Sequence, residues 1–382
     1  MHIAQIRLLN FRVYQEATVD LSPGVNLILG ANGSGKTSLL EAVATVALTR
    51  SPRTGSLGDC ASFSATDMGI SLTLEGSTGG SVVEFRAQRP SGQARWSRTI
   101  RENGSQVLAR AILGRIGVVI FWPEDLALVK AGPEPRRRLL DIALSQTSGE
   151  YAQAAVRCRR VLEQRNSLLR RIRDGLADPG LLHPWDQALI EHGAVVMRHR
   201  RQFLARAQPV VEEAVAAIGE PAPVELIYRP GAGPMTAGSE EDWLRTAIRE
   251  SAREELARAQ SLAGPHRDDF EVTLAGRPAR QFASQGQQRT LVLALKEAEV
   301  RLHEESMKRR PLVMLDDVLS ELDATHRHGL IARLGADMRV EQTLLTATED
   351  HGIGAEMSVS RVLQVKAGKV VKVEEGASGW RG

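Results

Sequence analysis

The chain has 382 residues, 42% hydrophobic and 25% charged, with a formal net charge of +3. This is the composition of an ordinary globular protein with room for about two domains. The two cysteines, Cys60 and Cys158, match no metal-ligand spacing and form no disulfide framework, so we expect a reducing, cytoplasmic environment. The chain runs directly into an alternating strand and contains no apolar run of about 18 residues. We therefore expect neither a signal peptide nor a membrane span.

The first elements predict a strand, a phosphate-binding loop and a helix. Residues 3–19 alternate as two short strands, and residues 25–29 form a short apolar strand. Residues 30–37 then fit the pattern G-x-x-x-x-G-K-[ST] at every fixed position, and a helix follows from Ser38. A strand before the loop and a helix after it are the context that a phosphate loop requires.

The chemistry of this loop predicts an ATP and Mg²⁺ site. Glycines without Cβ atoms let backbone N–H groups surround the phosphates, and the helix N-terminus adds its positive dipole end. Lys36 should reach the β- and γ-phosphates, and the Thr37 hydroxyl should ligate Mg²⁺. The predicted nucleotide contacts of the loop are Gly30, Ala31, Asn32, Gly33, Ser34, Gly35, Lys36, Thr37 and Ser38.

The middle of the chain changes from strands to helices. We predict β-structure over 69–110, a buried strand over 118–121, and helices over 136–219 that break near residues 174–180. A loop over 228–234, a helix over 241–263, a strand over 270–274, a helix over 285–304, a strand over 343–345 and a terminal hairpin over 362–373 follow. Residues 151–206 hold eleven arginines against five acids.

An acidic strand end completes the predicted site from far along the chain. Leu312 to Leu315 are apolar, and Asp316 follows 280 positions after Lys36. Asp316 should lie beside the metal, and Asp317 should orient or activate the attacking water, with Lys36 as its catalytic partner. This spacing predicts one ATPase head built from both ends of the chain. We expect head segments at 1–135 and 261–382 and a helical insertion at 136–260.

A second phosphate-binding device precedes the helix predicted from Gln285. Ser284, Gln285, Gly286 and Gln287 place a serine and a glycine at its N-terminus. The pattern alone is equally typical of a helix cap followed by a polar turn. Its position about 30 residues before the acidic strand resembles the signature of ABC-type ATPases, which contacts the nucleotide of the opposite subunit. Residues 320–323 stand where that class carries its D-loop.

Together these motifs resemble the RecF family of SMC-like ABC ATPases over nearly the whole chain. The segments that carry the resemblance are 9–12 (LNFR), 30–37, 121–126 (FWPEDL), 136–141 (RRRLLD), 164–169 (QRNSLL), 264–269 (GPHRDD), 284–289 (SQGQQR) and 315–323. The pair GPHRDD and SQGQQR is the most specific part. The implied fold is an α/β ABC-type head, with a mixed sheet and an antiparallel β part, carrying an inserted α-helical lobe.

The resemblance also implies a function. ATP would drive head-to-head homodimerisation on DNA, and slow, DNA-stimulated hydrolysis would release it. The implied role is to assist RecA loading at single-strand gaps, with RecO and RecR as partners, in repair, replication and the SOS response. Three positions depart from the usual ABC pattern. Asp317 replaces a glutamate, Thr346 to Thr348 stand at the switch histidine, and Glu124 lies near the Q-loop glutamine.

Arginines supply the predicted DNA contacts, since non-specific duplex binding needs a positive surface. The candidates are Arg50, Arg53, Arg136, Arg137, Arg138 and the arginine-rich insertion. The alternative is a solvated helix face whose arginines pair with nearby acids. Aromatic content of only 4% argues against a stacking platform for single strands, so we expect duplex and junction binding through the backbone.

Two other functions remain open from the sequence. A transporter ATPase subunit would share the phosphate loop, but the long spacing and the helical insertion argue against it. A small-molecule P-loop kinase would need neither a signature motif nor a dimer. His266 and Arg267 fit either the ATP site or packing inside the helical lobe.

Overall fold

The structure is a computed structural model, and it divides the chain into two compact units. It describes all residues except 77–78, 91, 93–94, 219–221, 236–237, 322–326, 328–340, 350–356 and 376–382. The first unit comprises Met1–Glu124 and Glu299–Gly382, and the second comprises Asp125–Ala298. The expected insertion at 136–260 lies inside the second unit, and its boundaries stay a prediction.

Runs of strands and runs of helices follow one another along the chain. Up to residue 130 they are β1 (His2–Phe11), β2 (Tyr14–Asp20), β3 (Gly24–Leu29), α1 (Lys36–Ala47), β4 (Asp67–Glu75), β5 (Ser81–Gln88), β6 (Ser97–Glu102), β7 (Ser105–Val107), α2 (Ala109–Ile112), β8 (Val118–Phe121) and α3 (Ala127–Lys130). Then come α4 (Pro133–Thr147), α5 (Gly149–Arg173), α6 (His183–Ala217), β9 (Val224–Arg229), α7 (Glu240–Arg258), β10 (Asp269–Leu274), β11 (Arg277–Pro278), α8 (Ala279–Phe282) and α9 (Gln285–Met307). The last strands are β12 (Leu312–Asp316), β13 (Gln342–Ala347), β14 (Val359–Lys366) and β15 (Lys369–Glu375).

The first unit contains two six-stranded sheets. One is antiparallel with the order β2-β1-β4-β5-β6-β7, and strict alternation along β4 buries Met68, Ile70, Leu72 and Leu74 on one face. The other has the order β15-β14-β3-β13-β12-β8, in which every pair is parallel except β14 with β15. Its strands β12 and β13 are buried at every residue, as expected for strands covered on both faces. The predicted α/β head with a mixed sheet and an antiparallel part is confirmed.

Register in the mixed sheet fixes the edge at which chemistry can occur. Asp316 at the end of β12 pairs with Thr346 of β13, and Ala347 pairs with Leu29 at the end of β3. Because these strands are parallel, their carboxyl ends meet at one edge, where open α/β sheets bind ligands. The phosphate loop and the acidic strand end therefore reach the same place, although 280 positions separate Lys36 from Asp316.

The terminal hairpin is confirmed at its predicted turn. Ala367 and Gly368 have φ values of 48° and 71°, which is the two-residue turn that matches the twist of paired strands. Two predictions in the second unit are wrong. The loop expected from Tyr228 begins only at Pro230, because Tyr228 and Arg229 belong to β9 and pair with β10. The helix expected to reach residue 263 ends at Arg258.

The core of the second unit lies between α5, α6 and α7. Ser148 caps α5 by accepting from the Tyr151 N–H, and α5 ends just before Gly175, whose φ is 74°. The C-terminal end of α5 agrees with the helix break that the sequence predicts near residues 174–180. The apolar faces then meet in a cluster that contains Val161, Leu189, Met197, Leu244 and Ile248 among its members.

Two buried arginines connect the helices of the second unit. Arg165 on α5 donates to Asp186 at 2.8 Å, to Glu255 at 2.6 Å and to Ser261 at 2.8 Å. Arg200 on α6 makes a similar set of bonds around Asp268. The His266 ring contacts the Ser261 carbonyl at 3.0 Å, and burial lowers its pKa.

A buried histidine in the first unit makes stability depend on pH. His303 is 3% exposed, and burial, with the nearby charge of Arg309, lowers its pKa to about 4. The unfolded chain binds this proton near pH 6.5, so it takes up more protons than the folded chain between the two values. We expect the free energy of unfolding to fall by up to about 3 kcal/mol as pH drops from 6.5 to 4. Denaturation at stepped pH should show a smaller slope for His303→Leu, and an unchanged slope would contradict the assignment.

Candidate nucleotide site and its family

The phosphate loop connects β3 to α1 with the geometry that its sequence predicts. The Lys36 ammonium donates to the carbonyl oxygens of Gly30 at 2.6 Å and Ala31 at 3.3 Å, so it lies within the loop. The Ser34 N–H donates to the Ala31 carbonyl at 3.1 Å and closes a turn. Residues 30–35 therefore form one compact loop, and α1 begins directly after it at Lys36.

Two loop positions admit only glycine. A Cβ on Gly35 would lie 2.7 Å from the Tyr14 hydroxyl, and the φ of 120° at Gly35 disfavours any other residue. A Cβ on Gly30 would lie 2.3 Å from the Val365 carbonyl oxygen. Tyr14, the first residue of β2 in the antiparallel sheet, donates to the Gly35 carbonyl at 3.0 Å. This hydrogen bond connects that sheet to the loop.

One polar atom of the loop indicates what the loop can hold. The Ser34 hydroxyl oxygen is buried and has no hydrogen-bond partner within the described part of the chain. A buried hydroxyl without a partner costs about 1–3 kcal/mol, so such an atom in a native fold calls for an explanation. A phosphate oxygen bound in the loop would supply the missing partner. Both the unpaired Ser34 hydroxyl and the sequence pattern of the loop therefore fit a bound nucleotide phosphate.

Thr37, Asp316 and Thr346 form the other half of the site. The Thr37 hydroxyl lies 2.9 and 2.8 Å from the two carboxylate oxygens of Asp316. Thr346 donates to the same carboxylate at 2.8 Å. Burial raises the pKa of Asp316, while the two threonine hydroxyls act to lower it. A hydroxyl beside a carboxylate is an all-oxygen donor set that suits Mg²⁺, whose remaining ligands are usually waters and phosphate oxygens.

Asp317 occupies a strained position directly after the strand. Its φ of 51° lies in the left-handed region, which costs most non-glycine residues about 1–2 kcal/mol but is tolerated by Asp and Asn. Its N–H donates to the Thr346 hydroxyl at 2.9 Å and contacts the Thr346 carbonyl at 3.2 Å. One buried threonine side chain therefore fixes both Asp316 and the turn that carries Asp317.

A buried carboxylate on α1 was not predicted as part of the site region. Glu41 lies one helical turn after Thr37 and is fully buried. Arg12 donates to its two oxygens at 2.9 and 2.6 Å, Ser51 donates at 2.6 Å, and Arg53 at 3.3 Å. The sequence singled out Arg12 as part of the LNFR segment. No pattern near Arg12 or Glu41 indicated that the two residues would form an ion pair.

Comparison with known proteins decides the family. A family model described as AAA domain matches residues 5–118. The DNA replication and repair protein RecF of Moorella thermoacetica is 38% identical, with 91% of this chain and 90% of that protein covered. RecF of Symbiobacterium thermophilum is 37% identical over 99% of this chain and all of that protein. The chain belongs to the RecF family.

Solved structures agree with this RecF assignment. The recombination mediator protein RecF-ATPrS of the RecFOR pathway matches with a TM-score of 0.86 and 28% identity, covering 97% of both chains. An Smc head bound to the C-winged helix domain of ScpA matches with a TM-score of 0.55 and 15% identity over 98% of both chains, which shows the fold alone. Relatives of this kind favour the RecF assignment over a transporter subunit. Among the described residues, none of the helices is long and apolar enough to cross a membrane.

The RecF signature segment caps α9. Ser284 accepts from the Gln287 N–H at 3.2 Å, and the Gln287 side chain accepts from the Ser284 N–H at 2.9 Å. This reciprocal pair is a capping box, so the cap alternative is realised. Ser284 and Gln285 are exposed, and Gly286 is half-buried. The segment lies in the second unit, and a role toward a second molecule stays a prediction. Of the expected D-loop, Leu322 and Asp323 lie outside the described residues.

The predicted DNA-contacting arginines differ in exposure. Arg50 and Arg138 are exposed, and Arg53 is exposed although it bonds to Glu41. Arg137 is half-buried and donates to the Asp268 carbonyl at 2.9 Å. Arg136 needs correction, because it is buried and its guanidinium donates to both oxygens of Asp269 at 2.7 and 2.8 Å. The alternative of an arginine paired with a nearby acid therefore describes Arg136 better than an exposed phosphate contact.

Proposed function

We propose that this chain is an ATP-dependent DNA-binding protein of recombinational repair and replication. The observation that carries the proposal is the juxtaposition of Thr37, Asp316 and Thr346 beside a phosphate loop in a chain of the RecF family. Relatives are named DNA replication and repair protein RecF, and solved relatives are described as RecF-ATP and RecF-ATPrS. We extend both properties to this chain, together with a cytoplasmic location.

The roles of the site residues follow from their placement. Backbone N–H groups of residues 30–38 and the Lys36 ammonium bind the β- and γ-phosphates, and Ser34 donates to one phosphate oxygen. Thr37 and Asp316 would hold Mg²⁺, which neutralises phosphate charge when bound. Asp317 orients the attacking water and accepts its proton. Because an aspartate carboxylate is one methylene shorter than glutamate, we expect slow hydrolysis that serves as a switch.

The switch acts through a homodimer in this proposal. The segment of exposed Ser284 and Gln285 and half-buried Gly286 and Gln287 would contact the γ-phosphate bound by a second molecule, as the family resemblance implies. Two ATP molecules would then lie between two heads, and hydrolysis would separate them. Dimerisation would place Arg50, Arg53, Arg137 and Arg138 along duplex or junction DNA. RecR and RecO are the proposed partners, RecA loading the proposed outcome, and SOS induction the downstream response.

The deciding experiment measures the molar mass of the Asp317→Asn variant by light scattering. With ATP and Mg²⁺ the mass should double, and gapped DNA should favour the dimer further. The matched control is Ser284→Arg in the same background, which should bind ATP but remain a monomer because the added side chain blocks the opposing nucleotide. If ATP leaves Asp317→Asn monomeric while it still binds, the proposed sandwich is wrong.

A positioning role for Thr346 gives a second expectation. Thr346→Val keeps the shape of the side chain but removes the hydroxyl that bonds Asp316 and the Asp317 N–H. We expect hydrolysis to fall about 10- to 100-fold, because small displacements of reacting groups cost rates of this order. Thr346→Ser keeps the hydroxyl and should stay within about threefold of wild type. Steady-state ATPase assays compare the two, and equal rates for both variants would exclude the positioning role.

A further inference from the structure

The second unit carries a groove that none of the proposed functions uses. It lies between α5, α6 and α7, and its cavity volume is about 340 Å³. This volume lies within the range of about 300–1,000 Å³ that is usual for ligand pockets. We call it the α7 groove and define it by Leu169, Ile190, Arg245, Ile248, Arg249 and Leu256, with Ala252 on its lip.

The floor of the α7 groove is apolar. Leu169, Ile190 and Ile248 are each at most 5% exposed, and half-buried Leu256 completes the wall. Leu182, in the connection between α5 and α6, also lines the groove, and Leu181, its neighbour in the chain, is 54% exposed. An apolar floor with an exposed leucine beside it is typical of a surface that receives apolar side chains.

The rim of the α7 groove is cationic. Arg245 and Arg249 are exposed and stand one helical turn apart on α7. The acidic groups of the lining, Asp186 and Glu255, are already bonded to Arg165 at 2.8 and 2.6 Å. Arg165 offsets one of these two negative charges, and Arg245 and Arg249 add two positive charges at the rim. The lining therefore holds three arginines against two carboxylates, and its net charge is positive.

This combination selects one class of ligand. Duplex DNA could use the rim arginines, but its phosphate backbone has no apolar group to cover the leucine and isoleucine floor. An amphipathic helix has both parts, because apolar side chains at i and i+4 can enter a groove while acids at its edge meet arginines. We propose that the α7 groove is a docking site for an acidic, amphipathic peptide segment of a protein partner.

The test uses a fluorescein-labelled amphipathic peptide of about 16 residues, with leucines on one face and glutamates on the other. Fluorescence anisotropy is read with the full-length protein. Ala252→Phe fills the groove from an exposed helix position and should weaken binding at least about tenfold, the worth of one buried leucine. Ala257→Phe is the matched control, because Ala257 is exposed on α7 and does not line the groove.

Charge is tested separately from shape. The double variant Arg245→Glu, Arg249→Glu should weaken the acidic peptide about 5- to 10-fold, as expected for two exposed ion pairs. Arg253→Glu, on the same helix outside the lining, should change it less than about twofold. The proposal is overturned if a peptide with lysines in place of glutamates binds equally well, if Ala252→Phe and Ala257→Phe behave alike, or if a duplex DNA competitor binds through the groove and the peptide does not.

Discussion

Replacing Arg200 with methionine should lower the free energy of unfolding of the second compact unit by about 3–5 kcal/mol, the usual cost of removing one partner of a buried ion pair. Arg200 is 4% exposed. It donates to Asp141 at 2.8 Å, to the Pro265 carbonyl at 2.6 Å and to Asp268 at 3.3 Å. Methionine fills the space but leaves two carboxylates without their counter-charge.

The remaining partners cannot compensate for this loss. Tyr228 donates to Asp268, and Tyr151 donates to Asp141, but both hydroxyls are neutral. Burial already raises the pKa of Asp268 in the wild type, and the charge of Arg200 opposes that shift. Without Arg200 the Asp268 carboxyl should become protonated more readily. The loss of stability in the variant should therefore shrink as pH falls through the raised pKa of Asp268, because protonation removes that unpaired charge.

The matched control is Arg198→Met, two residues away on the same helix. The Arg198 side chain is 39% exposed and forms an ion pair with an exposed carboxylate, Glu150, at 3.3 Å. Its loss should cost at most about 1 kcal/mol, as for other surface ion pairs. Urea denaturation followed by circular dichroism distinguishes the variants. Equal stability of Arg200→Met and Arg198→Met would refute the view that the buried network holds the helices together.

The parts of the site that lie close together in sequence could be predicted from sequence. The loop from Gly30 to Thr37 carries its own geometry, since glycines, a lysine and a hydroxyl at fixed spacing define the phosphate contacts. Asp316 could be found because an apolar strand that ends in an acid is also a local pattern. The loop and Asp316 lie at the same edge of the sheet because β3, β13 and β12 are parallel neighbours, as their register shows.

Side-chain partners that are distant in sequence could not be predicted. The bond from Arg200 to Asp268 spans 68 positions, and nothing near either residue selects the other. Arg136 looked like part of a basic cluster with Arg137 and Arg138, because the sequence does not reveal that Asp269 lies opposite it. Buried charge pairing depends on which helix faces meet, and that is a property of the tertiary packing rather than of any local pattern.

Asp317 follows the acidic strand end that the sequence shows, and its backbone is held by the bond to Thr346. Its replacement should lower the rate of ATP hydrolysis more than any other substitution considered. We expect Asp317→Asn to lower the rate of ATP hydrolysis about 10²- to 10⁴-fold, the usual contribution of a positioned general base. Asparagine tolerates the left-handed backbone at φ 51° as well as aspartate does, and it keeps the N–H that donates to Thr346. The substitution therefore removes the carboxylate charge while leaving the turn intact.

Binding and turnover should separate in this variant. ATP affinity should change less than about threefold, because Lys36, Thr37 and the loop backbone are unaltered. Asp317→Ala provides the comparison, since alanine also lacks the carboxylate but adds about 1–2 kcal/mol of backbone strain. Single-turnover hydrolysis and equilibrium ATP binding should show both variants inactive and only Asp317→Ala less stable. Near-normal turnover by Asp317→Asn would assign the proton transfer to another group at this edge. The next carboxylate to test would then be exposed Glu124, whose charge raises the pKa of Asp316.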